Sequence, residues 1–132
     1  MAGYNPIYWK CDEWGCWNVK CRPKLEMLHN CFPGKINYGD NDGLVEINGY
    51  LNFLEWKKPG GELQTGQRIL FERITKRTYG DIAFIVEGEP DTMEVYSYQY
   101  FFNGKQADWV DATLDDVMAR IKSWADKASK GF

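Results

Sequence analysis

The chain has 132 residues, of which 44% are hydrophobic and 16% aromatic, a composition typical of one folded domain and not of a disordered segment. The formal net charge of −3 argues against nucleic-acid binding through overall charge, although a local basic surface remains compatible with it. No apolar run approaches the roughly 18 residues of a membrane span, and the N-terminus lacks a signal-peptide core, so we expect a cytoplasmic protein.

The first 21 residues show no clean periodicity and are rich in Trp and Cys, which predicts an irregular arm whose aromatic side chains pack on the body of the protein. The cysteines do not have the C-x2-C spacing of common zinc sites: Cys11, Cys16, Cys21 and Cys31. We expect reduced, buried or semi-buried free thiols, and the alternative is a zinc site that includes His29.

The middle of the chain predicts a short helix, a β-hairpin and a second helix. Pro23 is placed to open the first helix, and Asn48-Gly49 is the strongest short signal for a hairpin turn. The second helix repeats residues at i, i+3, i+4 and i+7, and this face is expected to carry Gln67, Leu70, Phe71 and Ile74.

The last third predicts an apolar strand, an aromatic hairpin over residues 91–111 and a C-terminal helix over residues 113–130. Asn103-Gly104 is the expected hairpin turn, and Thr113 with Asp116 forms a capping pair for the helix. The order of elements predicts an α/β domain in which helices flank one central mixed sheet of about four to six strands.

Three tyrosines of the aromatic hairpin, Tyr96, Tyr98 and Tyr100, alternate at period two and are therefore expected to share one face of the sheet. Such rings could form a stacking platform for unpaired bases. An aromatic stripe on a strand is more often part of a core, which is the interpretation we favour.

A two-residue turn at Asn48-Gly49 fixes which residues face each other across the first hairpin. It places Asp42 opposite Glu55, and Lys57 shares their face two residues farther along. Two carboxylates whose Cβ atoms lie about 4.5–5.5 Å apart repel each other, and a divalent cation is the natural compensation. The hairpin thus predicts two acids and a lysine together at the end away from its turn.

These residues have a chemical use. Asp42 and Glu55 supply the hard oxygen ligands that Mg²⁺ or Mn²⁺ prefers, and the backbone carbonyl of Trp56 is a further candidate ligand. The metal would activate a water and neutralise phosphate charge, while Lys57 would position or help deprotonate that water. Gln67, on the first turn of the next helix, could orient the water or a phosphate oxygen. The alternative is an ordinary surface ion pair, since an acid and a lysine at i and i+2 are common.

Basic residues are concentrated after the hairpin and along the second helix. Taken alone, these charges are best interpreted as a solvated helix face. As a local basic surface they are also candidates for contact with a nucleic-acid backbone, in particular Lys58, Arg68, Lys76 and Arg77.

The stretch DGLVEINGYLNFLEWK, from Asp42 to Lys57, resembles the D…(D/E)-x-K signature of the PD-(D/E)XK nuclease superfamily. The continuation KPGGELQTGQ, which ends at Gln67, resembles the branch that contains VRR-NUC domains and archaeal-type Holliday junction resolvases. The preceding CFPGKINYGDNDG is similar to small phage-encoded members of this group. The similarity covers roughly residues 20–75.

The resemblance implies a restriction-endonuclease-like fold and metal-dependent cleavage of phosphodiester bonds. It makes Asp42 and Glu55 the metal ligands, Lys57 the catalytic lysine and Gln67 an accessory residue. Within a single domain it implies a nuclease core over residues 22–86, preceded by the arm and followed by the aromatic hairpin and the C-terminal helix.

Two further acids are candidate accessory residues. The family often has an acid on its first helix, for which Glu26 is the only candidate here. Asp40 competes with Asp42 for the ligand role: the hairpin register favours Asp42, whereas a bulge near Gly43 would change that choice. The proline that gives the family its name is absent before either aspartate.

The leading hypothesis is a Mg²⁺- or Mn²⁺-dependent DNA endonuclease in phage replication or recombination, with junctions or branched DNA as candidate substrates. The alternative is a non-catalytic nucleic-acid-binding or phage anti-defence protein on the same fold. The joint presence of Asp, Glu, Lys and Gln favours the enzyme. The sequence does not decide whether the substrate is DNA or RNA, or whether it is a duplex or a junction. Junction cleavage would imply a homodimer, because two strands are cut symmetrically.

Overall fold

The computed structural model describes residues 25–36 and 38–132, and the chain divides into two compact units, Met1–Asp40 and Asn41–Phe132. In the first unit the described residues include a short 3₁₀ helix, Leu25–Cys31. Cys31 is a free cysteine, as expected, but it is exposed, so the expectation of a buried or semi-buried thiol is wrong at this position. The expected arm and the other three cysteines lie outside the described residues.

The second unit contains one mixed sheet. Its six strands are β1 (Gly43–Ile47), β2 (Tyr50–Lys57), β3 (Ile82–Glu89), β4 (Glu94–Phe102), β5 (Lys105–Gln106) and β6 (Val110–Asp111). The strand order is β1-β2-β3-β4-β5, with β6 also paired to β4. The β2–β3 pair is parallel and the other pairs are antiparallel.

Two helices flank this sheet, which confirms the predicted α/β class. Helix α1 (Thr65–Arg77) connects the parallel strands β2 and β3, and helix α2 (Leu114–Lys130) follows β6. Thr113 caps α2 as predicted: its hydroxyl accepts from the Asp116 N–H at 3.3 Å, and its own N–H donates to the Asp116 carboxylate at 2.9 Å. Within the described residues, neither helix is both long and apolar enough to cross a bilayer.

Each face of the sheet has its own core. On the α2 face the buried residues of β3, Ile82, Phe84 and Val86, pack with Val117, Trp124 and Ala128 of the helix. On the α1 face, Ala83 and Ile85 pack with Phe71 of α1 and Phe101 of β4. Because helices cover both faces, five consecutive residues of β3 are buried, as is usual for strands inside an α/β sheet.

The register of the first hairpin agrees with the sequence prediction. Pairing runs without interruption from Gly43 opposite Leu54 to Ile47 opposite Tyr50. Asn48 and Gly49 have φ values of 55° and 88°, the left-handed conformation that a two-residue turn of this kind requires. No bulge occurs along these five pairs, so the register that favours Asp42 holds.

Two expectations about side-chain direction are wrong. Leu70 is 50% exposed, because it lies about 100° around α1 from Phe71, which faces the sheet. Tyr96 is 42% exposed, because the β3–β4 register shifts there: Ser97 pairs with Glu87 but Val95 pairs with Gly88. The extra residue leaves the shared face, while the other two tyrosines pack against the α2-face core as favoured.

Candidate active site

Strand β2 serves both cores at once. Leu54 and Trp56 pack against the α2-face core, and Phe53 packs against the α1-face core. Because side chains alternate along a strand, Glu55 and Lys57 project on the α1 face with Phe53. Glu55 is only 8% exposed, so its carboxylate lies largely out of solvent.

Helix α1 supplies the partner for both residues. Gln67 lies in its first turn, where the side-chain amide reaches back to β2. The Gln67 Nε2 donates to Glu55 Oε1 at 3.1 Å, and the Gln67 Oε1 accepts from Lys57 Nζ at 2.8 Å. Lys57 Nζ lies 3.6 Å from the same Glu55 oxygen. The three side chains therefore form a closed set of contacts across the helix–strand interface.

Asp42 precedes β1 and lies one step beyond the Gly43–Leu54 pair, opposite Glu55. Its Oδ2 accepts a hydrogen bond from the Trp56 N–H at 2.7 Å, which ties the aspartate to the strand that carries the glutamate. Within a strand the N–H and C=O of one residue point to the same neighbour. The Trp56 carbonyl is thus directed to the Asp42 side, where it remains a candidate ligand. Asp42, Glu55, Lys57 and Gln67 are called the site cluster below.

The charge balance of the site cluster acts on Glu55. Burial raises the pKa of the Glu55 carboxyl above its usual value, and the negative charge of Asp42 raises it further. The ammonium of Lys57 and the hydrogen bonds from Gln67 and Lys57 oppose this rise. A partly buried acid that is disfavoured in its charged form, yet held beside a second acid, is typical of a functional site.

The oxygen ligands of the site cluster suit a hard divalent cation that needs few protein ligands. Across residues 25–36 and 38–132, no three His, Cys, Asp or Glu side chains are grouped to hold a metal. Mg²⁺ needs only one or two carboxylates, because waters and substrate phosphates complete its shell. Asp42 and Glu55 meet that requirement, and a cation between them would offset both the burial of Glu55 and the charge of Asp42, which together raise the pKa of the Glu55 carboxyl.

The two accessory acids are placed differently. Asp40 belongs to the first unit, whereas Asp42 lies in the second unit with the rest of the site cluster. Glu26 lies within the 3₁₀ helix, but its side chain is outside the part of the chain that the structure describes.

The candidate nucleic-acid-binding residues do not form one patch. Lys58 follows β2 directly and is exposed, whereas Arg68 is paired with Glu72 at 2.8 Å. Lys76 and Arg77 occupy the last turn of α1, about 14–15 Å along the helix from Gln67. In the chain, Lys58 directly follows Lys57 and Arg68 directly follows Gln67, whereas Lys76 and Arg77 lie at the far end of α1 from the site cluster.

Sequence analysis did not identify Glu87, which pairs with Lys57 across the parallel β2–β3 ladder. Its carboxylate accepts from the Ser97 hydroxyl at 3.0 Å and from the Gly60 N–H at 3.3 Å. Glu87 lines a cleft of about 550 Å³ with Ser97, Gln99 and Trp109. The available signal was an acid at the end of an apolar run, which alone does not separate a site residue from a strand terminus.

Comparisons of the chain with models of known protein families, with curated proteins and with solved structures found no match. The function assigned to the site cluster therefore depends on its geometry and on the resemblance of the sequence motif.

Proposed function

We propose that this protein is a divalent-metal-dependent endonuclease that hydrolyses phosphodiester bonds in DNA. The observation that carries the proposal is the closed contact set of Glu55, Lys57 and Gln67, with Asp42 fixed beside it by the Trp56 N–H. A surface ion pair does not require that the glutamate be buried. Nor does it require a glutamine in the first turn of the next helix, hydrogen-bonded to both the glutamate and the lysine.

Lys57 would provide the main electrostatic contribution to cleavage. The Lys57 ammonium has three N–H donors, and its contacts with Gln67 and Glu55 leave a donor for a substrate oxygen. Directed at a phosphate, this charge stabilises the negative charge that develops on the equatorial oxygens during hydrolysis. Preorganisation by Gln67 means that the ammonium does not reorient at the moment of reaction.

Asp42, Glu55 and the Trp56 carbonyl would hold the Mg²⁺ or Mn²⁺ ion. When bound, that ion supplies Lewis-acid activation of water and neutralises phosphate charge. Glu55 must be ionised for this role, and its raised pKa means that cleavage should fall as pH drops toward that pKa.

The biological setting follows from the sequence resemblance. We place the protein in the cytoplasm of a host cell, where a phage-encoded nuclease would act in replication or recombination. A four-way junction would require a homodimer, because two symmetric cuts need two sites.

The alternative function is a non-catalytic nucleic-acid-binding or phage anti-defence protein on the same fold. It is favoured by the separation of the basic residues and by the acids that line the cleft beside the site cluster, Glu62, Glu87 and Asp111. These acids repel phosphate, whereas they suit a basic protein partner.

The test is cleavage of labelled linear duplex, single-stranded and four-way-junction DNA, with RNA counterparts, in Mg²⁺, Mn²⁺ or EDTA. We expect cleavage of at least one DNA substrate with either metal and none in EDTA. Binding without cleavage under every condition would reject the enzyme and leave the alternative. Cleavage that is indifferent to EDTA would reject the metal ligands.

A further inference from the structure

A second candidate site lies on the opposite face of the sheet. The space between α2 and the start of β3 contains a cavity of about 350 Å³, bordered by Ile82 and Trp124. Ile82 belongs to the α2-face core, whereas Glu55 pairs with Ile85 of the α1-face core. The sheet therefore separates this space, called the aromatic cavity below, from the site cluster.

Three mutually contacting rings form one wall of the aromatic cavity. Phe132 meets Tyr79 and Phe102 with centroid separations of 6.1 Å each, and Tyr79 meets Phe102 at 5.3 Å. Tyr79 is 60% exposed and Phe132 39% exposed, so both rings keep open surface. A wall of this kind offers planar surfaces on which a flat ring can stack.

The floor of the aromatic cavity is fixed. Trp124 is 2% exposed, and its indole N–H donates to the Gly80 carbonyl at 2.7 Å, which joins α2 to the turn before β3. Gly80 cannot be replaced without conflict: it has a φ of 112°, and a Cβ there would come within 2.6 Å of Phe132. The Phe132 ring therefore lies directly against the Gly80 backbone.

Two cations complete the lining. Arg120 and Lys127 flank Trp124 on one stripe of α2, at i, i+4 and i+7. The Arg120 guanidinium lies 5.0 Å from the centroid of the Tyr100 ring, so its plane is already positioned by a cation–π contact.

These two cations have no acidic counterpart in the cavity. No Asp or Glu is among the described residues that line it, and neither cation takes part in an ion pair between described residues. Lys122 differs, because it pairs with Asp126 at 3.2 Å on the same helix. Arg120 also borders a neighbouring pocket with Asp111 and Asp116, but those acids do not line the aromatic cavity, where two cations beside aromatic rings favour an anion.

We infer that the aromatic cavity binds a nucleoside phosphate unit, with the base against Tyr79 and Phe132 and the phosphate at Arg120 and Lys127. A planar anion uses both features of the lining, whereas an apolar ligand would use the rings alone and leave both cations without an anionic partner. The cavity volume lies within the usual range of roughly 300–1,000 Å³ for small-molecule sites. A free nucleotide and the 5′-phosphorylated end of a strand share this chemistry.

The test follows the Trp124 indole N–H resonance of ¹⁵N-labelled protein during titration with adenosine 5′-monophosphate, adenosine and a 5′-phosphorylated oligothymidine. We expect a saturable shift with at least one phosphorylated probe, and about tenfold or more weaker binding of adenosine, because a charge-assisted contact is absent. Whether the mononucleotide or the strand binds more tightly identifies the source.

Matched variants decide whether the cations are responsible. The double variant Arg120→Gln/Lys127→Gln should weaken binding of the phosphorylated probe about tenfold or more, whereas Lys122→Gln should leave it unchanged. Thermal unfolding of each variant checks that the fold is retained. A Lys57→Ala variant should bind as the wild type does, which separates this site from the proposed nuclease.

Three results would overturn the inference: no saturable shift with either phosphorylated probe, equal affinity for adenosine and its monophosphate, or equal loss in the Lys122→Gln control. Tyr79→Ala offers a second check, since it removes a stacking surface at an exposed position and should weaken both phosphorylated probes and adenosine together.

Discussion

The two faces of the sheet use the same strands for different purposes. Toward α2, the side chains of β2 and β3 are apolar except for the buried Asn52, and the indole N–H of Trp56 is satisfied by the Gly88 carbonyl at 3.0 Å. Toward α1, the same two strands begin with apolar residues and end with Glu55, Lys57 and Glu87. The polar end coincides with the first turn of α1, where Gln67 supplies hydrogen bonds.

This difference shows how a covered strand can carry charge. A buried carboxylate is costly unless it is paired and hydrogen-bonded, and the start of a helix brings suitable partners to the end of a strand. Packing on the α2 face holds β2 in place, whereas the charged site cluster on the α1 face lowers the stability of the fold. Substitutions on the α2 face should therefore mainly lower the free energy of unfolding, whereas substitutions in the site cluster on the α1 face should mainly lower activity.

The largest expected effect on stability comes from the α2 face. Phe84 is fully buried, so Phe84→Ala should lower the free energy of unfolding by about 3–5 kcal/mol through lost burial and the cavity left behind. Leu44→Ala, at a position 57% exposed, should change it by less than about 0.5 kcal/mol. Urea unfolding measures both, and equal losses would contradict the assignment of the core.

On the α1 face the next effect should appear in activity. Gln67→Ala removes the amide that holds Lys57 and Glu55, and we expect a roughly 10- to 100-fold lower single-turnover rate, as for other supporting residues of catalytic sites. A positioning role predicts a fall in rate at saturating substrate with little change in affinity.

The matched control is Gln64→Ala. Gln64 is the exposed N-cap residue of α1; its N–H donates to Gln67 Oε1 at 3.4 Å, but it contacts neither Glu55 nor Lys57. The variant should cleave at the wild-type rate. If Gln64→Ala loses as much activity as Gln67→Ala, the effect comes from the start of the helix and not from the amide bridge.

A smaller effect concerns the stability cost of Glu55. Its pKa is raised on folding from 4.5, so the ionised form opposes folding, and wild-type stability falls as pH rises from 4.5 through the folded pKa. Glu55→Gln should therefore be the more stable protein at about pH 8, and the difference should vanish at about pH 4, where both side chains are neutral.

Urea unfolding at both pH values measures this, with the exposed Glu62→Gln as control. Added Mg²⁺ should stabilise the wild type and not Glu55→Gln, because a ligand that binds only the folded state adds to its stability. A gain that is identical in both proteins would place the metal elsewhere.

The smallest effect is expected from the far end of α1. If Lys76 and Arg77 contact DNA phosphates, Lys76→Ala/Arg77→Ala should reduce the slope of log affinity against log salt by about 2, since each phosphate contact contributes about 0.9. The rate at saturating substrate should not change. A slope equal to that of wild type and of a Lys122→Ala control would mean that these charges are a solvated helix face.

Local signals were sufficient to predict much of the fold. Asn48-Gly49 specified the hairpin register, and Thr113 with Asp116 specified the start of α2, because turn and cap geometries depend on a few adjacent residues. The contacts of Gln67 were harder to predict: its place on the first turn of α1 was expected, whereas its two hydrogen bonds depend on how the helix docks.

Features set by long-range pairing were missed. The bulge at Tyr96 results from the pairing register between β3 and β4, and no residue near it is a sequence signal for a bulge. Glu87 lies beside Lys57 because β3 pairs in parallel with β2, and this pairing could not be read from the residues around Glu87. The aromatic cavity likewise combines residues from α2 with rings far away in the chain.

The most direct measurement compares two adjacent lysines. Lys57 lies within the site cluster, whereas Lys58 is exposed just after the strand. Single-turnover cleavage with Mg²⁺ at saturating DNA should be about 10²–10⁴-fold slower in Lys57→Ala, while Lys58→Ala should weaken binding and retain the wild-type rate. Cleavage by Lys57→Ala at the wild-type rate would contradict a catalytic role for the site cluster.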